Sequence, residues 1–288
     1  MEFTIKAFAK INVSLDVLSK MANGYHEIRS VMQSVDLCDE ITLKLRSERG
    51  IRIETNLRYL PNDRRNLAFR AAELFFSETG LIDRGADIRI KKRIPVCAGL
   101  GGGSSDAAAV LRALNIMTEA GMDLQTLEKM GERLGSDVPF CVAGGTALAA
   151  GRGEILLDLP PLPDCRVLIC KPGFSCSTPE LFEKTDKKPP LRHPDTDGIT
   201  EALRAGLIKD IAQRMYNVFE EALPRQAGAV SEIKSAMSDA GALGTVMSGT
   251  GPAVFGLFDD PAGAALAYER LNKIYRDCFS VIPVRKHL

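Results

Sequence analysis

The sequence predicts an α+β protein of two domains, and three observations carry that prediction. The first half opens on strands before any helix. A proline-rich stretch lies just past the middle. The second half reads β–α–β–β–α–β, the order of a ferredoxin-like domain. A length of 288 residues agrees with two such units.

Phe3, Ile5, Ala7 and Ala9 alternate with polar residues, and Val13, Leu15 and Val17 keep the period of two, so this stretch reads as a strand. Asn23-Gly24 marks a turn, and strands are expected near 28–37, 40–46 and 50–55. A helix runs from Asn66, a capping side chain, to about Thr79 and stops at Gly80. Ile88-Arg89-Ile90 reads as a strand leading into a glycine-rich loop. Two helices follow. One starts at Ser104/Ser105 and is apolar at 107, 110, 111, 114 and 117; the other starts after Asp123 and stops at Gly135. Residues 144–157 read as one strand returning to the first sheet. Leu159-Pro160-Pro161-Leu162-Pro163 marks the boundary, giving domains over 1–158 and 159–288. Beyond it come a strand over Arg166–Cys170 and helical stretches over about 178–240. A hairpin of Thr245–Ser248 and Ala253–Phe258 follows, turning at Gly249-Thr250-Gly251. A helix over about 261–275 and a strand, Ser280–Val284, complete the order, and 186–198 reads as an exposed loop.

Composition excludes several classes of function. With 37 basic and 37 acidic residues the net charge is zero, so no global field draws the chain to nucleic acid or membrane, and any anion site must be local. Seven cysteines form no C-x-x-C pair and three histidines are scattered, which disfavours zinc and fits reduced thiols. The first residues, Met1 to Lys6, carry charge at once and do not read as a signal peptide. No apolar run approaches the roughly 18 residues that span a bilayer. The expectation is a soluble cytoplasmic enzyme, monomer or homodimer, acting on a small molecule without a nucleic-acid or membrane partner.

The most informative stretch is Ile94-Pro95-Val96-Cys97-Ala98-Gly99-Leu100-Gly101-Gly102-Gly103-Ser104-Ser105-Asp106. Four glycines in five positions free the backbone to curl and point successive N–H groups into one concavity. The loop runs into a helix whose first N–H groups carry roughly half a positive charge. Such a junction binds phosphate, and two serines add hydroxyls. The spacing is neither G-x-x-x-x-G-K-[ST] nor G-x-G-x-x-G, so Walker A and dinucleotide loops are disfavoured. The bland alternative is a flexible loop before a helix, which would need fewer glycines and a single serine.

Three motifs in order resemble those of the GHMP kinases. Pro95 to Ser105 resembles the family's phosphate motif, Ala9-Lys10-Ile11-Asn12 its first motif, and Gly249-Thr250-Gly251-Pro252-Ala253-Val254-Phe255 its third. Gly24-Tyr25-His26, Gly135-Ser136-Asp137-Val138-Pro139, Pro172-Gly173-Phe174-Ser175 and Thr178-Pro179 resemble the branch whose acceptor is a cytidine diphosphate alcohol of non-mevalonate isoprenoid synthesis. The chain departs from that pattern at Asn23, where the family has Asp, and at Val218, in an Asn-Asp-x-Glu motif that here reads Asn217-Val218-Phe219-Glu220.

The resemblance implies a two-domain GHMP kinase architecture: an N-terminal ribosomal-protein-like β/α domain with a left-handed crossover, and the ferredoxin-like C-terminal domain. It implies ATP with Mg2+, the ATP held by residues 95–105 with Asn66 and Lys92 near the nucleotide, and Ser104 or Ser105 able to approach the metal. Asp137 is the implied base and Lys10 its partner, keeping the carboxylate ionised and stabilising charge at the hydroxyl oxygen. Pro139 is expected to push Val138 into an extended conformation beside that base. Asn12, Tyr25, His26, Thr178 and Phe182 are implied around the acceptor, Tyr25 and Phe182 stacking on the cytosine. Read without the family, Asp137 is a cap, Lys10 a solvated lysine, Tyr25 and His26 turn residues and Phe182 core. Asn66 is then a helix cap, Lys92 a surface lysine, and Asp106 an acid of the first helical turn. Competing functions are another kinase of the family, of the homoserine or mevalonate type, or a non-catalytic nucleotide-binding protein.

Overall fold

The structure, a computed structural model, describes residues 2–223 and 228–286. The chain forms two compact units that interleave along the sequence. The first takes Met1–Ala9, Leu37–Val96 and Gly101–Ala143; the second takes Lys10–Asp36, Cys97–Leu100 and Gly144–Leu288.

Strands β1 (Glu2–Lys20) and β2 (His26–Arg46) run through both units, turning at Asn23-Gly24. Two strands expected over 28–46 are thus one strand of 21 residues. The run Val35-Asp36-Leu37-Cys38-Asp39 contains no glycine or proline to end the ladder, so pairing continues through it. In the first unit β2 pairs antiparallel with β4 (Gly85–Lys91), and β4 pairs parallel with β3 (Gly50–Thr55). The crossover from β3 to β4 carries helix α1 (Leu67–Glu78), capped by Asn66 through a bond from the Ala68 N–H and followed by Gly80 at a φ of 71°. Helix α2 (Gly102–Met117) packs on α1. Its run of alanines, 107 to 109 and 113, lets the two axes approach, and Phe75, Val110, Leu111 and Leu114 fill the layer beneath β2 and β4. Each such side chain, fully buried, contributes roughly 1.5–3 kcal/mol. Helices α3 (Leu124–Glu132, capped by Asp123) and α4 (Val138–Ala143) complete this core.

In the second unit the first half of β2 pairs with β5 (Thr146–Ala150), which turns back into β6 (Ile155–Asp158). The single strand expected over 144–157 is therefore a hairpin. Gly151 and Gly153, at φ of 65° and 117°, supply left-handed backbone at the turn. Strand β7 (Arg166–Lys171) begins a four-stranded antiparallel sheet with β9 (Gly244–Met247), β10 (Val254–Phe258) and β11 (Asp277–Val281), in the order β11-β7-β10-β9; β8 (Tyr216–Asn217) pairs parallel with β1. Numbered within the unit this is 4-1-3-2, the ferredoxin-like order, with α8 (Gly228–Asp239) and α9 (Pro261–Leu271) covering one face through Ile233, Met237 and Ala267. Three further helices, α5 (Thr178–Lys187), α6 (Thr196–Ala205) and α7 (Ile208–Arg214), precede β8. The exposed loop expected over 186–198 is thus confined to the stretch between α5 and α6. No helix among the described residues is long and apolar enough to cross a membrane.

Candidate active site

Residues 95–105 form the loop that the sequence marks. Cys97, Gly99 and Gly101 have φ of 52°, 76° and 69°, so the chain reverses its curl repeatedly. Helix α2 starts at Gly102, two residues before the expected Ser104, because the first turn passes close to its neighbours. A Cβ on Gly102 would stand 3.1 Å from Ile94 Cγ2 and 3.3 Å from Lys92 Nζ. Gly101 caps this helix in left-handed conformation and makes no side-chain capping bond. The first-turn N–H groups therefore keep their capacity for an anion. Ser105 is buried and its Oγ donates to the Phe8 carbonyl at 2.5 Å, tying α2 to β1, while Ser104 is half-buried.

The middle of the loop is fastened to both other motifs by the main chain. The Lys10 N–H donates to the Leu100 carbonyl at 3.0 Å, the Ala253 N–H to the Ala98 carbonyl at 3.2 Å, and the Ser248 hydroxyl to the Gly99 carbonyl at 2.9 Å. No side chain fits at Gly99: a Cβ would lie 2.0 Å from the Ser248 carbonyl oxygen. Sequence reading gives Ser248 and Asn217 no role in the site, although it names the motif Asn217-Val218-Phe219-Glu220. The Asn217 amide donates to the carbonyls of Met247 and Gly249, both at 2.7 Å, and so holds the third motif in place. This gives the Asn-Val-Phe-Glu stretch a role beyond local packing; the signal available was an asparagine at a family position.

Lys10 is buried at 4% exposure, so it is not a solvated strand lysine, and its Nζ donates to Asn12 Oδ1 at 2.7 Å. Asn12, fully buried, donates through Nδ2 to Ser30 Oγ at 2.8 Å and through its backbone N–H to Ser248 Oγ at 3.2 Å. Asp137 is half-buried at the start of α4, its carbonyl accepting the Cys141 N–H at 3.1 Å. Val138 is the first helical residue rather than an extended one. A proline in the first helical turn has no N–H to leave unpaired, so Pro139 starts the helix instead of forcing its neighbour out of it.

Around the predicted acceptor pocket, His26 and Phe182 come together, their rings stacked at 4.5 Å and 21°. Phe219 closes the far side of Phe182, edge-on at 4.9 Å. The His26 Nε2 meets Asp186 Oδ1 at 2.6 Å, and Asp186 also takes Lys20 Nζ at 2.5 Å; these hydrogen bonds, Lys20 first and then His26, hold the Asp186 carboxyl below its usual range. Asp186 lies one helical turn beyond Phe182, a spacing the sequence offered without a reason to single it out. Tyr25 is 55% exposed, its ring beneath the Arg152 guanidinium at 4.9 Å. The Thr178 hydroxyl bonds that of Thr250 at 2.8 Å, linking the start of α5 to the third motif.

Asn66 caps α1, its Nδ2 donating to the Pro61 carbonyl at 3.0 Å. Lys92 is no surface lysine. It is 8% exposed and its ammonium donates to Asp39 and, at 2.7 Å, to Asp106. Burial alone would lower the Lys92 ammonium, but the two carboxylates, Asp106 ahead of Asp39, outweigh it and hold it above its usual value. Asp106 is pushed up to about 8, chiefly by burial, with the Lys92 charge opposing and the Asp39 charge adding. It lies beyond the first turn of α2, since that helix starts at Gly102. Asp39 was legible in principle: Leu37, Ile41 and Leu43 share its strand face and are buried, so a carboxylate at that parity is a buried charge.

Among the described residues no group of three His, Cys, Asp or Glu side chains is placed to hold a metal. The hydroxyls of Ser104 and Ser105 at the start of α2 are oxygen donors of the kind that Mg2+ takes beside phosphate and water.

Family models match both halves of the chain: "GHMP kinases N terminal domain" over residues 66–145 and "GHMP kinases C terminal" over residues 199–277. A curated relative from Clostridium beijerinckii, named 4-diphosphocytidyl-2-C-methyl-D-erythritol kinase, is 42% identical over 96% of this chain and 98% of its own length. One from Geobacillus kaustophilus with the same name is 44% identical over 98% and 97%. A crystal structure titled 4-(cytidine 5'-diphospho)-2C-methyl-D-erythritol kinase superposes with a TM-score of 0.82 at 33% identity, covering 98% of this chain and 99% of that one. With the glycine loop tied by its main chain to the two motifs that accompany it in the sequence, the chain belongs to the GHMP kinase family.

Proposed function

We propose that this chain moves the γ-phosphoryl group of ATP onto the 2-hydroxyl of 4-diphosphocytidyl-2-C-methyl-D-erythritol, an alcohol-directed phosphotransfer of isoprenoid precursor synthesis. The observation that carries the reading is the loop itself. Its carbonyls at residues 98 to 100 are spent on Lys10, Ser248 and Ala253, while the helix start at residues 101–105 has no side-chain cap. The loop is thereby fixed with no side-chain cap on the first N–H groups of α2, which is what a triphosphate needs.

In this reading the N–H groups at the start of α2 hold the phosphates and need no reorganisation as charge moves between them. Ser104 or Ser105 would hold a Mg2+ ion that comes with ATP, and the ion would supply neutralisation of the phosphate charge. Asp137 accepts the proton of the attacking hydroxyl. Lys10, desolvated and fixed by Asn12, stabilises the alkoxide as it forms. His26 and Phe182 receive the cytosine, with Tyr25 at the outer face, and Asn12 and Thr178 lie toward the acceptor's hydroxyls and diphosphate. Asn66 and Lys92 lie toward the nucleotide, Asn66 through the helix end that it caps.

The deciding experiment is a panel assay of ATP consumption with the cytidine diphosphate methylerythritol, homoserine and mevalonate as acceptors. The first is expected to win by orders of magnitude in kcat/KM. A preference for homoserine or mevalonate would move the chain to another branch of the family, and the absence of transfer to any alcohol would end the reading.

A further inference from the structure

Beneath the glycine loop lies a buried ion cluster that the chemistry above leaves unexplained. Asp39 sits fully buried on β2 and its Oδ1 accepts the N–H groups of Arg93 at 2.5 Å and Ile94 at 2.9 Å. Its Oδ2 accepts the Lys92 ammonium. Lys92 then donates across the base of the loop to Asp106 Oδ2 at 2.7 Å, a partner 14 residues later in the chain. Residues 92 and 106 flank the loop on either side.

We propose that the Lys92–Asp106 pair, seated on Asp39, is a clasp that fixes both ends of the phosphate loop and thereby sets the affinity for ATP. The side chains of Lys92, Asp106 and Asp39 are then positioning groups, committed to one another rather than to the nucleotide. The proposal rests on ATP binding at residues 95–105.

Three observations support it. Lys92 is 8% exposed and its ammonium is committed to two carboxylates, so reaching a phosphate would break a buried pair. The first turn of α2 rides directly on it, since a Cβ at Gly102 would meet Nζ at 3.3 Å, so any shift of the lysine moves the N–H groups that face the ligand. The cluster is also expensive to keep. Asp106 Oδ1 is buried with no hydrogen-bond partner, and an apolar core would avoid that cost. Glycine-rich chain has more conformational freedom to lose on binding than any other, so pinning its ends before ATP arrives lowers the ordering that binding must bear.

The test is a double-mutant cycle on the full chain, with ATP affinity measured by calorimetry and the KM of the acceptor measured beside it. Lys92→Met and Asp106→Asn are each expected to weaken ATP by about 10-fold or more, as displaced binding groups do. The double variant is expected to be no weaker than the worse single one, because both break one contact. The acceptor KM stays within about 2-fold of wild type, since its binding residues lie on neither the loop nor α2. Effects that multiply in the double variant would mean that Lys92 acts on ATP directly and would overturn the clasp. So would a fall in thermal stability with ATP affinity unchanged. If Lys92→Met does not fold, Asp39→Asn, which keeps the shape and one acceptor oxygen, serves instead; it must weaken ATP by about 3-fold or more while sparing the acceptor. A wild-type chain that fails to bind ATP would sink the proposed function itself, whereas ATP binding with independent variants sinks the clasp alone.

Discussion

Gly99→Ala separates the two things that a glycine can do in a phosphate loop. At a φ of 76° an alanine pays the left-handed conformational cost, roughly 1–2 kcal/mol. Its Cβ would also lie 2.0 Å from the Ser248 carbonyl oxygen and 3.0 Å from the carbon bearing it, and backbone cannot swing aside as a side chain can. Gly80→Ala is the matched control. It has a φ of 71° and nothing within 4 Å of the new methyl, so it bears the conformational cost alone. In a chain of this size each kcal/mol lowers Tm by about 2–4 °C, so Gly80→Ala is expected to lose about 2–8 °C with the KM for ATP unchanged. Gly99→Ala must lose more than that, and its KM for ATP should rise by about 10-fold or more, because the loop is driven off the third motif and its N–H groups lose their aim. Differential scanning calorimetry and steady-state kinetics on the two variants decide the matter. Equal Tm values and equal KM values for ATP would refute the argument that close approach of loop and third motif shapes the site.

Three other perturbations follow from the same geometry. Asp137→Asn should lower kcat by about 10²–10⁴ while calorimetric ATP affinity survives, and near-wild-type turnover would remove Asp137 from the base's role. Burial raises the Asp106 carboxyl, so the folded chain keeps its proton to a higher pH than the unfolded chain does. Stability from this residue is therefore full at acid pH and falls as pH rises through the raised value. The urea midpoint of wild type should fall relative to that of Asp106→Asn as pH rises from 5 to 8, and parallel curves would contradict this. Asp186→Ala leaves the His26 ring without its Nε2 partner and should raise the acceptor KM by about 10-fold with the KM for ATP untouched. An unchanged acceptor KM would mean that the orientation of His26 does not matter.

Legibility followed periodicity and punctuation. The strand alternation from Phe3 to Val17, the Asn66 cap and the second-half strand order were readable because each rests on local spacing, and the structure has all three. The misses came where glycine or proline had two physical uses. Gly151 and Gly153 turn a hairpin, Gly102 begins a helix where a Cβ would crowd Ile94 and Lys92, and Pro139 opens a helix. The ion cluster of Asp39, Lys92 and Asp106 was out of reach for a different reason. Strand parity marks Asp39 alone; the pairing of β2 with β4 brings it to Lys92, and α2 carries Asp106 to that pair. Lys10 and Asn12 stood out by motif, but the chain of bonds through Ser30 and Ser248 that fixes them depends on tertiary packing.

Hydrogen exchange at the amides of residues 99–105, with and without a non-hydrolysable ATP analogue, addresses the account at its root. Those amides should slow markedly on nucleotide binding, those at the start of α2 most of all, while the β5–β6 hairpin exchanges as before. Saturating nucleotide with no added protection anywhere in 99–105 would show that the phosphates are held elsewhere.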